Sequence, residues 1–292
     1  MADASVIVAT KDRAGALRVC LAGLLAQRGP ALFETIVVDN GSADDTSSVI
    51  REFAGRELRG LYVAEPNRAK ARNAGIAQAR GRIVIFCDDD TFAPPRFVQA
   101  HLAAHAAGRA VVSGPIVNVA DLRRLPRPNA RHYSRAFLCS CNASVARSDL
   151  LEVCGFDERY DLYGWEDTDL GVRLRRRGLR RVFSQAAYLY HVKPPQRLSL
   201  VEQLVLAREK GTMAARFVRK SPSWPVKFAT GAYWPNIARA AVVHAAPLRK
   251  AYRALLNRSG TRRSVAARWA ELALVDGEYV DALVAGLRSP NA

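Results

Sequence analysis

Short β-branched runs and helix-spaced apolar residues take turns along the first part of the chain. Residues 5–10 (SVIVAT), 33–38, 58–63 and 82–87 read as buried strands. Residues 13–27 set Leu17, Leu21, Leu24 and Leu25 on one side of a helix. Val49, Ile50 and Phe53 do the same for a helix starting near Asp44. Residues 68–80 (RAKARNAGIAQAR) are strong helix formers apart from Gly75. Pro94 and Pro95 open another helix, read through residue 107, and residues 111–113 begin a further strand. Strand–helix alternation with short connections predicts an α/β fold, a mainly parallel sheet flanked by helices.

That rhythm fades over residues 118–135, an Arg- and Pro-rich segment expected to loop over a cleft. Residues 138–146 are expected to rejoin the sheet, residues 169–177 to form a helix and residues 182–191 to form one more strand. Beyond residue 193 the pattern is mostly helical, broken at Pro194 and Pro195, over residues 222–225, and at Pro235 and Pro247. The predicted organisation is an α/β domain over residues 1–192 and a mainly helical C-terminal extension over residues 193–292.

Charge sharpens this division. The 292 residues carry 44 Lys and Arg against 27 Asp and Glu, a formal net charge of +17. Residues 193–292 hold 17 basic and 6 acidic residues, so this third supplies +11 of the excess. Such a surface suits an anionic membrane or substrate, or simply aids solubility. Nucleic acid is disfavoured, because no zinc-finger spacing, RNA-binding aromatic motif or basic zipper accompanies the charge. No apolar run reaches the roughly 18–20 residues that span a bilayer; Arg239 and His244 interrupt the best stretch, residues 237–248. The five cysteines, Cys20, Cys87, Cys139, Cys141 and Cys154, are odd in number and follow no secretory signal peptide. They read as free thiols in a reducing cytoplasm, with peripheral contact at the inner membrane face left open.

Two acidic clusters carry the candidate chemistry. Asp88, Asp89 and Asp90 directly follow the run IVIFC, where a parallel strand delivers residues to the ligand-binding edge. In extended backbone Asp88 and Asp90 point to the same side. Adjacent carboxylates repel one another unless solvent, protons or a cation compensates, and hard oxygen ligands suit Mg2+ or Mn2+ with bound diphosphate. A solvated acidic turn is the alternative. Thr10 and Arg13, Asp39, and Arg72 with Asn73 stand after successive strands and can line the same edge. Asp39 also suits an Asx turn or an N-cap for the following helix. The second cluster is Trp165, Glu166, Asp167 and Asp169 in GWEDTDL. Trp165 can stack on a ring, Asp167 can take a proton from an acceptor hydroxyl, and Glu166 can hold the acceptor. Asp169 suits a structural role at the start of the next helix. His191 can complete an Asp/His metal site or lie as a surface histidine. No HExxH zinc motif, phosphate-binding lysine loop or GxSxG elbow is present, which favours metal-assisted transfer over covalent hydrolysis.

The order SVIVATKDR, VVDNGSADDT, AKARNAGIAQARG, CDDD, CNASVARS, CGFDE, GWEDTDLGVRLRRRG and LYHVK resembles the inverting family-2 glycosyltransferases, with a GT-A nucleotide-sugar-binding fold, over roughly residues 4–192. The resemblance implies a nucleoside-diphosphate sugar donor, an acceptor hydroxyl and Mn2+ or Mg2+. It assigns Asp39 to the nucleotide base, Asp88 and Asp90 to ribose and metal with Asp89 beside them, Asp167 to the acceptor base, Glu166 to acceptor support and His191 to the metal. A nucleotidyltransferase that releases diphosphate and a non-catalytic nucleotide- or carbohydrate-binding protein are the competing readings.

Overall fold

The computed structural model describes residues 2–55, 57–134, 136–193, 198–258 and 264–289. Pro194 and Pro195, expected as helix breaks, and the last residue of the 118–135 segment lie outside the described residues. The chain divides into two compact units, Met1–Asp161 with Glu166–Gln196, and Leu162–Trp165 with Arg197–Ala292.

In the first unit the predicted alternation is present. It runs β1 (Ala4–Thr10), α1 (Ala14–Leu25), β2 (Phe33–Asp39), α2 (Thr46–Phe53), β3 (Leu58–Tyr62), α3 (Arg68–Gln78) and β4 (Ile83–Asp88). There follow β5 (Thr91–Phe92), α4 (Phe97–Ala104), β6 (Ala110–Ser113), β7 (Ile116–Val119), β8 (Asn142–Ala146), α5 (Arg147–Glu152), α6 (Glu166–Arg176), β9 (Arg180–Phe183) and β10 (Leu189–Val192). Seven strands form one sheet in the order β3-β2-β1-β4-β8-β6-β9, and β5-β10-β7 form a second. β1 to β4 pair in parallel, whereas β8 runs antiparallel to both of its neighbours.

Both faces of the large sheet are covered, and the strand period of two sorts its residues between them. Val6, Val8, Ile85 and Cys87 pack on one side with Leu17, Leu21, Leu24 and Phe97. Ile7, Ile36, Val84 and Phe86 pack on the other with Ala69, Ile76, Leu170 and Leu174. This is why the central strands read as continuous apolar runs and the helices as one-sided ones.

Two expectations change. The extended alternation assumed for the aspartates ends at Asp88. Thr91 Oγ1 donates to Asp88 O at 2.7 Å and closes a turn over residues 89–90, so Asp88 and Asp90 do not share one strand face. The single strand expected over residues 182–191 is two strands in different sheets. Ser184 N donates to Ser113 O, and Ala187 N donates to Ser184 O, turning the chain between them. Gly114 permits this crossing, because a Cβ there would lie 1.7 Å from Ala187 O. Asn142 fixes it: its amide donates to Pro115 O (3.1 Å) and Ala187 O (2.9 Å). The Asn142 Oδ1 pairs with His101 Nε2 (2.9 Å), and Ser144 Oγ lies between His101 Nδ1 and His105 Nε2. Burial holds both imidazoles neutral, lowering His101 to about 3 and His105 to about 4.

The second unit is helical. It contains α7 (Leu200–Lys220), α8 (Trp224–Thr230), α9 (Trp234–Val243), α10 (Ala246–Arg258) and α11 (Val265–Arg288). A capping box from Ser199 and Glu202 starts α7. Pro225 and Pro235, expected as breaks, sit in the first turns of α8 and α9, where a missing N–H costs nothing. Gln203–Glu271, Arg208–Glu278 and Arg219–Gly286 join α7 and α11 at matching ends, so these two long helices run parallel. Gly211 allows their close approach: a Cβ there would lie 2.2 Å from Tyr279 O. Among the described residues no helix is long and apolar enough to cross a membrane.

Candidate active site

Strand register gathers the sequence candidates at the C-terminal edge of the parallel strands. Thr10 is paired with Asp39, and Ala9 with Asp88. Asn40 N donates to Thr10 O and Val63 N to Asp39 O, holding the ends of β1, β2 and β3 together. Asp39 is buried; its Oδ1 accepts from Ser42 N (2.9 Å) and its Oδ2 from Ser47 Oγ (2.6 Å). The Asp39 side chain thus caps the turn after β2 through a backbone N–H three residues on, one beyond the reach of an Asx turn, and each oxygen retains a further lone pair.

Arg13, just past β1, reaches Asp89 Oδ1 at 3.1 Å and Asp90 Oδ2 at 2.7 Å. Burial pushes the Asp89 carboxyl up to about 6, against the opposing pull of Arg13 and Thr10. Burial also raises Asp90, but His191 and Arg13 outweigh it and hold that carboxyl below its ordinary value. Antiparallel pairing of Thr91 with His191 delivers the imidazole to this corner, with its Nε2 3.0 Å from Asp90 Oδ1. The contact lacks hydrogen-bond alignment, leaving Asp90 Oδ1 buried without a hydrogen bond. One carboxylate and one imidazole fit a divalent cation whose remaining positions come from substrate phosphate and water. Among the described residues no group of three or more Asp, Glu, His or Cys forms a complete protein cage.

Arg72 links the two acidic clusters. From α3 its Nη2 lies 3.4 Å from Asp88 Oδ1 and its Nη1 lies 3.3 Å from Glu166 Oε1, with the guanidinium over the Phe156 ring. Burial works against this cation, but Asp167, Asp88 and Glu166 hold its pKa above the usual value. Asp167, in the first turn of α6, accepts from Ser140 N (2.7 Å) and Ser140 Oγ (3.0 Å) at Oδ2. Its Oδ1 is buried and makes no hydrogen bond. Burial, assisted by Glu166 and Asp88 and opposed by Arg72 and Ser140 N–H, pushes its carboxyl up to about 6. A carboxylate poised near that value with one uncommitted oxygen has the character of a general base.

Two candidates are engaged elsewhere. Asn73 donates to Phe156 O and Glu158 Oε1 and accepts from Phe156 N, so its amide clamps the 156–158 loop. Trp165 has a φ of +75°, an uncommon backbone for a bulky residue. In the second unit its ring stacks on Phe217 at 5.8 Å, and its Nε1 donates to Lys210 O at 3.0 Å. Asp169 accepts from Arg173 Nε at 2.8 Å, a structural i,i+4 pair. Ser140 escaped the sequence reading. It is a common residue 27 positions from Asp167, and only the fold reveals the pairing.

A family model described as glycosyl transferase family 2 matches residues 5–156, and one described as the N-terminal domain of galactosyltransferase matches residues 125–195. Validoxylamine A glucosyltransferase from Streptomyces hygroscopicus subsp. jinggangensis is 32% identical over 75% of this chain and 61% of its own length. The same-named protein from subsp. limoneus is 31% identical, over 57% of its length. The chain thus spans about 60% of the length of these relatives. Among solved structures, the mannosyltransferase PcManGT of Pyrobaculum calidifontis, in complex with GDP-Man and Mn2+, superposes with a TM-score of 0.61 at 19% identity, covering 100% of this chain and 88% of that one. TarS 1–349 of S. aureus, in complex with UDP-GlcNAc, gives 0.58 at 17% identity over 97% and 91%. The shared architecture is the GT-A glycosyltransferase fold.

Proposed function

Because the chain belongs to glycosyl transferase family 2, we propose that it moves a sugar from a nucleoside diphosphate to an acceptor hydroxyl with inversion, assisted by Mn2+ or Mg2+. The observation that carries this reading is the convergence of the two acidic clusters on Arg72, within 3.4 Å of both Asp88 and Glu166. The contact supports reading a donor-binding edge and a proton acceptor as parts of one site.

In this reading Thr10, Asp39 and Asp88 bind the nucleotide, with Asp89 and Arg13 setting the charge beside it. Asp90 and His191 would hold the cation. When bound, the cation supplies positive charge that stabilises the departing diphosphate. Ser140 fixes Asp167 through Oδ2, and Oδ1 takes the acceptor proton as the hydroxyl attacks the far face of the sugar. Arg72 keeps Glu166 and Asp88 oriented around that base. Glu166 belongs to the acceptor side. Inversion follows from a single displacement without a covalent enzyme intermediate. The named relatives put glucose donors first in a donor screen. Contact of the basic extension with an anionic membrane is the locational part of this proposal.

The test is release of nucleoside diphosphate from UDP-, GDP- and dTDP-sugars with and without Mn2+, followed by transfer to candidate acceptors. Asp167→Asn is expected to lower transfer by about 10²–10⁴-fold, the usual worth of a general base, while retaining nucleotide binding. A variant with the normal transfer rate would remove Asp167 from the role of base.

A further inference from the structure

We infer that the α8–α9 corner of the second unit is a docking surface for an anionic lipid bilayer. This rests on the membrane-contact reading above and names the surface that makes the contact. α8 turns Val226 and Thr230 inward, four residues apart, and both are buried. Trp224 and Phe228 have the same spacing on another face and are 64% and 63% exposed. Their rings lie 5.7 Å apart, and Phe228 continues to Tyr233 at 5.0 Å. Trp234, the next residue, is 78% exposed. The result is a chain of large rings on the outside of a helical unit whose own core does not need them.

Charge selects the occupant. Lys227 Nζ lies 5.6 Å from the Trp224 ring centroid, placing a cation within the aromatic patch. The six acidic residues beyond residue 193 have internal partners. Asp276, Glu278 and Asp281 pair with Arg239, Arg208 and Arg249. Glu202 caps α7, Glu209 accepts from Tyr163 N, and Glu271 accepts from Gln203. These acidic side chains are thus engaged, and the segment carries 17 basic residues against the six. Lys250 and Arg253 on α10 are exposed and make no hydrogen bond or ion pair among the described residues. Tryptophan and tyrosine suit the headgroup layer, with an apolar ring and a polar edge, and basic residues are drawn to anionic headgroups. An anionic bilayer satisfies both features at once.

The test is sedimentation of the purified full chain with vesicles of equimolar phosphatidylglycerol and phosphatidylcholine, and with phosphatidylcholine alone. The expected result is binding to the anionic vesicles that weakens at high salt, with little binding to the neutral ones. The triple variant Trp224→Ala, Phe228→Ala, Trp234→Ala is expected to lose roughly tenfold or more in partitioning, with an unchanged circular dichroism spectrum. Lys227→Glu is expected to weaken binding in the same direction. The pair Trp269→Ala and Leu272→Ala, on another exposed apolar stripe of α11, serves as the comparator and is expected to bind normally. Absence of wild-type binding overturns the membrane reading itself. Wild-type binding that the triple variant retains, or that only the α11 variant loses, overturns this corner while leaving membrane contact standing. Equal binding to both vesicle types overturns the selection by charge.

Discussion

At the residue scale, the most informative group is Asp167, whose carboxyl is pushed up to about 6 by burial. In the proposed role of base it must be ionised, so the transfer rate is expected to fall as pH drops through about 6; a pH–rate profile of the turnover step checks this. The stability sign is opposite. A carboxyl whose folded value is raised favours the fold in its protonated form. That contribution is complete below the ordinary Asp value and is lost as pH rises through about 6. A shift from 3.8 to about 6 corresponds to on the order of 3 kcal/mol. Asp167→Asn is therefore expected to lose transfer but lose less stability than the wild type between pH 4 and pH 7, measured by urea unfolding. A parallel pH dependence in the two proteins would contradict the buried, unpaired character of Oδ1.

At the element scale, β8 aligns the two sheets of the first unit. Asn142 holds the carbonyls of Pro115 and Ala187, which stand just before the two strands β7 and β10. β10 in turn carries His191 to Asp90. Asn142→Ala strands two buried carbonyls and one face of His101. It is expected to cost about 2–4 kcal/mol in urea unfolding, and to weaken metal-dependent nucleotide binding more than metal-free binding. Helix and strand identities from β1 to β4 were readable because one-sided and two-sided burial leave different periods in the chain. The split of residues 182–191 was not readable, since Ser184 and Ala187 carry no strong turn signal and the crossing depends on Gly114 and Asn142, far away in sequence.

At the scale of the whole molecule, acidic chemistry and basic excess occupy different units. In the proposed reading Asp90 and His191 are the two cation ligands among the described residues, and diphosphate oxygens would complete the site. Mn2+ and a nucleoside diphosphate together are consequently expected to raise Tm by more than the sum of their separate effects, since binding stabilises the folded state by mass action. Asp90→Ala or His191→Ala should remove that synergy while leaving any metal-independent shift. Thermal melts across a metal and nucleotide matrix provide the measurement, and an additive response in the wild type would argue against a shared site.

The sequence by itself determined the alternating fold, the strand ends that bear Thr10, Asp39 and Asp88, and the concentration of positive charge after residue 193. Those features are local: period, propensity and composition are written in neighbouring residues. Tertiary structure alone decided that Arg72 lies between Asp88 and Glu166, that Ser140 holds Asp167, and that Asn73 is committed to the 156–158 loop. It also decided that Trp224, Phe228 and Trp234 face outward, although their hydrophobicity alone suggests a core. Pairings across tens of residues depend on how helices and strands pack, and neighbouring residues along the chain do not encode that geometry.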